Sequence, residues 1–288
     1  MTINQRQIND PIFADILDRI RIGKPTTADI EIINSRKINY PIELQEINKI
    51  EVAVQFFLEK EKIFEKLVAL FPLIKSVDSF NQQITKFKNI DLIKIVAIDK
   101  ERNCKKKQVN NKPKNIKASQ TAGLEAYLEI GLGSKIMLRR NLDPDRGLAN
   151  GAVGLVIGFE FEENDETLVT FIIIQFENLK SPYKLARFDA EYQIKPNQYV
   201  NRSQFPVSLA WALTIHKVQG LSLDAIMVDI GKNIFEEGMA YVALSRARQL
   251  DNVFVIDFDK NKLNCCKASI REYNRLRLKN GGRFLYSH

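Results

Sequence analysis

Thr214, His216, Lys217 and Arg246 are the residues whose types and spacing suggest chemistry. The stretch "LAWALTIHKVQGLSLD" (209–224) is an apolar run that ends on a hydroxyl, an imidazole and an ammonium, and Gly220 closes it. If the strand ends near Leu213 and a short helix follows, Thr214 stands at a helix N-terminus, where free N–H groups and the dipole favour an anion. A phosphate is the anion such donors would hold at the carboxyl end of a parallel strand. The same residues also suit a Thr N-cap with incidental polar neighbours, and both readings stand. In "AYVALSRARQ" (240–249), helical spacing puts Val242, Ala243 and Arg246 on one face with Met239. A guanidinium in line with an apolar stripe must be paired or point into a cleft. Arg246 is therefore either half of a structural salt bridge or a ligand-facing cation, while Arg248, well round the helix, reads as surface charge.

The segments that must position these residues alternate strand and helix. After Pro206, "FPVSLAWAL" reads as a strand, Thr214 to Gln219 as a short helix and "DAIMVDI" as a strand. "IFEEGMAYVALSRARQ" then reads as a helix, "NVFVIDF" as the last strand, and a basic C-terminal helix comes after it. That alternation predicts a parallel α/β sheet. Toward the N-terminus, "PIFADILDRIRI" places Ile12, Ile16, Leu17 and Ile20 on one helical face with Gly23 as the stop. A second helix, "TTADIEIINSR", takes Thr26 or Thr27 as its cap, and an apolar-periodic segment spans about 50–69. "VALFPLIKSVDSFNQQITK" reads as a buried strand, a turn at Pro72 and a helix.

Two regions break the pattern. Residues 102–117 carry seven basic residues, no acid, four Asn and Pro113, and read as a loop, either a solvated linker or a segment that tracks phosphates. From 133 to 195, "SKIMLRRN", "VGLVIGFEF", "LVTFIIIQF" and "AEYQIK" are short strand-like runs between turn signals. They predict a compact antiparallel β-domain inserted into the α/β domain.

Composition bounds the function. The 288 residues carry a net charge of +8 and a pI near 9.2, a balance that favours a polyanionic partner. Cys104, Cys265 and Cys266 form no disulfide framework and suggest a reducing compartment. With only His216 and His288 besides, no metal-ligand spacing is present. The N-terminus lacks the apolar core of a signal peptide, and the longest apolar run, "LVTFIII", falls far short of the roughly 20 residues that span a membrane. A soluble, intracellular protein with no membrane partner is expected.

Taken together, the two constellations resemble motifs V and VI of the Pif family of DNA helicases, superfamily-one motors that move 5′ to 3′ on single strands. "LAWALTIHKVQGLSLD" looks like motif V and "AYVALSRARQLDNVFVIDFD" like motif VI. "ALFPLIKSVDSFN" is similar to motif IV, and "GSKIMLRRNLDPDRGLANGAVGLVIGF" resembles the start of the family's inserted 2B domain. "RQINDPIFADILDRIRIGKPTTADIEIINSR" resembles the helical segment that comes after the first motor domain. The resemblance implies a RecA-like parallel-sheet domain (2A) interrupted by a small SH3-like β-barrel (2B). Its boundaries would be a helical connector at 1–58, 2A at 59–124 and 201–288, and 2B at 125–200. It further implies that Thr214, His216 and Lys217 hold the phosphates of single-stranded DNA, and that Gln219 and Gly220 link that grip to the nucleotide cleft. Arg246 would be the arginine finger on the γ-phosphate of ATP, supported by Tyr241 and Ser245, and Arg6 a second γ-phosphate sensor. Val218 departs from the Ser or Ala common in motif V, and Leu73 from the Thr common in motif IV.

One part of such a motor is not in the sequence. No G-x-x-x-x-G-K-S/T string occurs, and "GLGSK" (131–135) lacks the spacing. An Asp-Glu pair at a strand end for Mg2+ is also absent. The expectation is the C-terminal portion of an ATP-dependent DNA helicase, inactive alone, with ATP and Mg2+ relevant only when a P-loop motor domain is supplied, by a partner chain or by sequence upstream. The alternatives are a stand-alone nucleic-acid-binding module and a decayed, for example transposon-borne, remnant. In a eukaryote the resemblance implies nuclear or mitochondrial work in DNA repair and recombination.

Overall fold

A computed structural model describes residues 6–39, 46–64, 66–103, 106–110, 120–121, 123–196 and 198–279. The chain divides into two compact units, Met1–Gln83 with Ala212–His288, and Ile84–Trp211.

In the first unit, α1 (Pro11–Arg21) begins at the Asp10 N-cap, whose carboxylate accepts from the Phe13 amide. Its buried face is Phe13, Ile16, Leu17 and Ile20. The sequence reading placed Ile12 there, but Ile12 is 67% exposed. A stripe one residue round the helix suits the 3.6-residue period as well, and packing chose it. Gly23 (φ +70°) ends the helix: its N–H bonds to the Ile20 carbonyl and that of Lys24 to Arg19, the paired bonds of a left-handed C-terminal cap. A capping box of Thr26 and Asp29 opens α2 (Thr27–Ser35). The segment expected at 50–69 divides between α3 (Glu46–Glu61) and β1 (Leu67–Phe71). β1 is fully buried and leads through Pro72 into α4 (Ile74–Phe87), matching the strand, turn and helix read from the sequence. Phe57 of α3 and Phe71 of β1 both pack on Phe80 of α4, at ring separations of 5.4 and 5.3 Å.

The second unit is antiparallel. Its strands are β2 (Ile93–Val96), β3 (Ile98–Asn103), β4 (Lys106–Asn110), β5 (Tyr127–Ile130), β6 (Lys135–Leu138), β7 (Val153–Glu162), β8 (Asp165–Phe176), β9 (Tyr183–Ala186), β10 (Phe188–Lys195), β11 (Gln198–Gln204) and β12 (Val207–Leu209). They form sheets ordered β12-β6-β7-β8-β9, β10-β11-β3-β4 and β2-β5. The core gathers Ile136, Leu138, Val156, Ile172, Ile174 and Phe176 from the largest sheet with Ile95, Leu128 and Ile130 from the smallest. The resemblance implied an SH3-like barrel, but the described pairings give open sheets, and none closes β9 on β12. Residues 102–117, expected to be a loop, begin in a hairpin: β3 pairs with β4, Arg102 opposite Lys107, and with β11 on its other side. The neighbouring strand supplies a hydrogen-bond ladder that local composition cannot reveal, and a Lys-bearing β4 at the edge discourages further pairing. Residues 104–105 and 111–119 of that segment lie outside the described residues.

The chain returns to the first unit with β13 (Ala212–Thr214), β14 (Ala225–Ile230), α5 (Met239–Leu244), β15 (Val253–Phe258) and α6 (Lys267–Lys279). The sheet is wholly parallel, ordered β13-β1-β14-β15. All residues of β1, β13 and β14 are buried, as a parallel strand covered on both faces requires. "FPVSLAWAL" is two strands rather than one: Val207–Leu209 pairs antiparallel with β6, while Ala212–Thr214 pairs parallel with β1. No Gly or Pro marks the break within 207–214, so hydrophobicity alone could not divide it. The helix read over 234–249 shrinks to the six residues of α5, entered from Gly238 at φ +80°.

Candidate nucleotide-cleft and nucleic-acid interface

Thr214 is the last residue of β13, level with Phe71 at the end of β1, so it sits on the carboxyl edge of the parallel sheet. The chain then makes the short helix expected between Thr214 and Gln219, a single 3-10 turn over Ile215–Val218. Thr214 makes no side-chain cap bond, so the simple N-cap reading of its hydroxyl is not realised. A single turn also carries little dipole, which moves the weight of any anion affinity from the helix end to the side chains. His216 and Lys217 are exposed, whereas Ile215 and Val218 point inward and anchor the turn. The His216 ring lies 3.1 Å from a Glu236 carboxylate oxygen and 6.0 Å from the Phe235 ring. Burial pushes the Asp78 carboxyl up, and the Lys217 charge pulls it back. Gln219 and Gly220 complete the turn, both exposed. Gly220 has φ +89° with open space where a Cβ would stand, so conformation rather than crowding demands glycine there.

Arg246 lies just past the C-cap of α5 and is 8% exposed. Its Nε donates to the Val242 carbonyl at 2.9 Å, Nη1 to the Leu221 carbonyl at 3.2 Å and Nη2 to the Ser245 hydroxyl at 2.9 Å. Among the described residues no carboxylate pairs with it, so the salt bridge weighed in the sequence is not found. Burial lowers its pKa, the Arg6 charge lowers it further, and Tyr241 opposes both. Three of the five N–H donors of a guanidinium are thus used by neutral oxygens. Arg248, by contrast, is an exposed partner of Asp224 at 3.4 Å.

The structure joins the two constellations. The Leu223 amide donates to the Arg246 carbonyl at 3.0 Å, and Leu223 bridges Ala247 as a short parallel pair. Arg6 reaches the same place, with Nε on the Ser222 hydroxyl at 2.8 Å and Nη1 on the Ser245 carbonyl at 3.0 Å. Sequence reasoning missed its neighbour Gln7. That amide is 2% exposed and donates to the carbonyls of Ser245, at 3.3 Å, and Ala247. Asp10 adds an acceptor for the Leu250 amide at 2.9 Å. Backbone carbonyls 245, 246 and 247 are therefore all held, which fixes the base of the Arg246 side chain. The only signal for Gln7 was its place beside Arg6 in "QRQ"; Phe235 and Glu236 gave none. Tyr241 is half-buried and acts on Arg246 only electrostatically, while Ser245 bonds it directly. Thr214, His216, Lys217, Gln219 and Gly220 lie on one turn, and Arg6 and Arg246 gather at the segment just beyond it.

No group of three or more His, Cys, Asp and Glu among the described residues is arranged to hold a metal ion. No described helix is long and apolar enough to cross a membrane.

The family model described as "DNA helicase Pif1, 2B domain" matches residues 117–159. Over 150 residues the chain is 41% identical to the "ATP-dependent DNA helicase PIF1" of Rattus norvegicus, covering 52% of this chain and 22% of that protein. The Homo sapiens protein of the same description is 40% identical with the same coverage. The chain thus spans less than a quarter of the length of these relatives. Among solved structures, the Pif1 helicase from Candida albicans superposes with a TM-score of 0.69 at 23% identity, covering 94% of this chain and 59% of that one. A Bacteroides Pif1 bound to ssDNA gives 0.64 at 22% identity, covering 96% and 56%. These likenesses establish the fold as α/β with a RecA-like parallel sheet.

Proposed function

We propose that this chain is a member of the Pif helicase family and the C-terminal portion of a 5′–3′ ATP-dependent DNA helicase. In this reading Thr214, His216 and Lys217 grip the phosphates of single-stranded DNA, Gln219 and Gly220 connect that grip to the cleft, and Arg246 is the arginine finger. The carrying observation is a buried guanidinium without a carboxylate. Neutral oxygens orient it, three carbonyls of its own segment are clamped, and two N–H donors remain for an oxyanion. Holding the donors in place beforehand is what makes such a charge effective, because no reorganisation is needed when negative charge develops. Arg6, its charge felt at Arg246, suits the role of second sensor.

ATP, when bound, supplies the phosphoryl bond whose hydrolysis drives strand movement. The residues of this chain fit one side of that group only. Arg6 and Arg246 can meet a terminal phosphate, whereas no string in the 288 residues makes a phosphate cradle and no described acidic cluster suits Mg2+. The P-loop motor domain belongs to sequence beyond these residues or to another chain. A Bacteroides Pif1 has been solved with ADP-AlF3 and ssDNA, and that pairing of ligands is the one this reading assigns.

The test is reconstitution with a separately expressed Pif-family P-loop domain. The chain alone should turn over ATP at background. The mixture should show DNA-stimulated hydrolysis that falls on the order of 10³-fold in Arg246→Ala. Hydrolysis that survives that substitution would remove Arg246 from the reaction. For the grip, fluorescence anisotropy with a labelled oligonucleotide should show weak, salt-dependent binding, with a slope of log K against log salt on the order of 2 to 4. Thr214→Ala with Lys217→Ala should weaken it equally across sequences, since phosphate contacts carry no base information. If that variant binds normally, and neutralising Lys105, Lys106 and Lys107 abolishes binding, the grip lies in the basic segment.

A further inference from the structure

The loop between β14 and α5 has no role in the grip or the finger, yet it returns to the turn after Thr214. Its course is fixed by backbone bonds. The Ile234 amide donates to the Gly231 carbonyl at 3.1 Å, the Met239 amide to the Glu236 carbonyl at 3.3 Å and the Gly238 amide to the Asn264 carbonyl at 3.0 Å. Ile234 and Met239 are buried, while Phe235 between them is 58% exposed. A lone exposed Phe needs no explanation, but this one is not alone. Its ring centroid lies 6.0 Å from that of His216, with the two planes inclined by 39°. The Glu236 carboxylate meets His216 Nε2 at 3.1 Å. An ionised carboxylate only accepts, so Nε2 carries its proton toward Glu236 and the imidazole is held in one orientation. Two exposed aromatic rings thus stand side by side, one of them on the turn assigned to the phosphates.

We propose, resting on that assignment of the turn, that Phe235 with His216 beside it is a stacking platform for one base of the gripped single strand. Charge gives the strand its orientation. Successive residues of a 3-10 turn point about 120° apart, so Lys217 leaves the turn in a different direction from His216. The Lys217 charge is felt at Asp78 of α4, whereas His216 reaches the Phe235 loop. Beside Phe235 stand Glu236 and Glu237, both exposed. Two carboxylates repel a phosphate but not a neutral base. The backbone of the strand therefore passes on the Lys217 side, and its bases face Phe235.

The contact chosen in this way reads no sequence, because every base has a π face. A loop already held by its own backbone bonds also needs little ordering when the strand arrives. Glu236 is a positioning residue in this arrangement: it touches the imidazole and not the base.

Fluorescence anisotropy of the full chain with two labelled probes of equal length tests the platform. One probe is oligothymidylate; the other is a strand of abasic sites, which keeps the phosphates and lacks the bases. Oligothymidylate should bind the tighter. Phe235→Ala should weaken it on the order of tenfold while leaving the abasic strand and the salt slope unchanged. Phe235→Leu, which keeps apolar bulk without a π face, should behave as Phe235→Ala, and Phe235→Tyr as the unaltered chain. Thr214→Ala with Lys217→Ala should weaken both probes alike; if it weakens neither, it is the phosphate grip that fails. Equal loss of both probes in Phe235→Ala, no loss of either, or full binding by Phe235→Leu would each overturn the platform. So would a Phe235→Ala chain that binds both probes normally but no longer reconstitutes hydrolysis with the P-loop domain, since the ring would then be a contact between motor domains.

Discussion

Arg202 and Arg246 are both buried guanidiniums, one in each unit, and they are held in opposite ways. Arg202, fully buried on β11, faces Asp99 of β3 through two bonds of 2.8 and 2.9 Å. The Tyr192 hydroxyl and the Leu124 carbonyl also accept from it, at 3.3 Å each. Burial pulls the Arg202 pKa down, but the Asp99 carboxylate outweighs it and the net direction is up. Arg246 has only neutral acceptors and its pKa moves down. A charge matched by a countercharge has its electrostatic demand met inside the fold. A charge given only dipoles is held in position with demand left over. That difference separates a structural arginine from one suited to an incoming anion.

The contrast can be broken most directly at Asp99. Asp99→Ala strands the Arg202 charge in the core and should cost about 3–5 kcal/mol, read by urea unfolding of the second unit's signal. Arg246→Ala removes a cation that has no countercharge to strand, only neutral oxygens, so its stability cost should stay at about 1–2 kcal/mol. Equal losses in the two variants would erase the distinction. Gln7→Ala tests whether the finger segment is clamped; it leaves the Ala247 carbonyl without its buried donor and should cost about 1–2 kcal/mol. In the reconstituted reaction it should also lower turnover through Arg246, with the affinity for oligonucleotide unchanged.

Tyr192 sharpens the comparison through pH. Burial, above all, raises its phenol from the ordinary 10.0 to about 12, with Arg202 opposing and Asp99 assisting. Above pH 10 the unfolded chain releases a proton that the folded chain still holds. The stabilisation is therefore complete below about 10 and is lost as pH rises toward about 12. Tyr192→Phe should flatten that alkaline decline, and an unchanged slope would place the titration elsewhere. The smallest effect is expected at the α2 cap, where Thr26→Ala should cost about 1 kcal/mol in thermal unfolding, since Asp29 retains Arg19 at 2.7 Å.

Much of the parallel-sheet unit was legible in the order of residues. β1 is a continuous apolar run and β14 and β15 are apolar but for one Asp each, a signal typical of buried parallel strands, and Pro72 and Gly23 punctuate the chain where the backbone turns. Thr26 announced its helix because the cap is local, reaching only to Asp29. The antiparallel unit was less legible. Strands β9, β11 and β12 and the β3–β4 hairpin depend on partners far along the chain, as where Tyr199 lies opposite Arg102, and short polar strands have little local pattern.

The candidate site divides in the same way. Residue type and spacing determined Thr214, His216, Lys217 and Arg246, because a hydroxyl, an imidazole and an ammonium at the end of an apolar run, and an arginine in an apolar stripe, are chemical statements in themselves. Only the tertiary structure decided that Arg246 has no countercharge, that Gln7 fixes the carbonyls beside it, and that the turn after Thr214 is too short for a helix dipole to act. Each of those three depends on which groups meet across more than 20 residues of chain or on how a backbone ladder ends. Burial then sets their energetics, because a bond that water would share in the unfolded chain becomes obligatory once water is excluded.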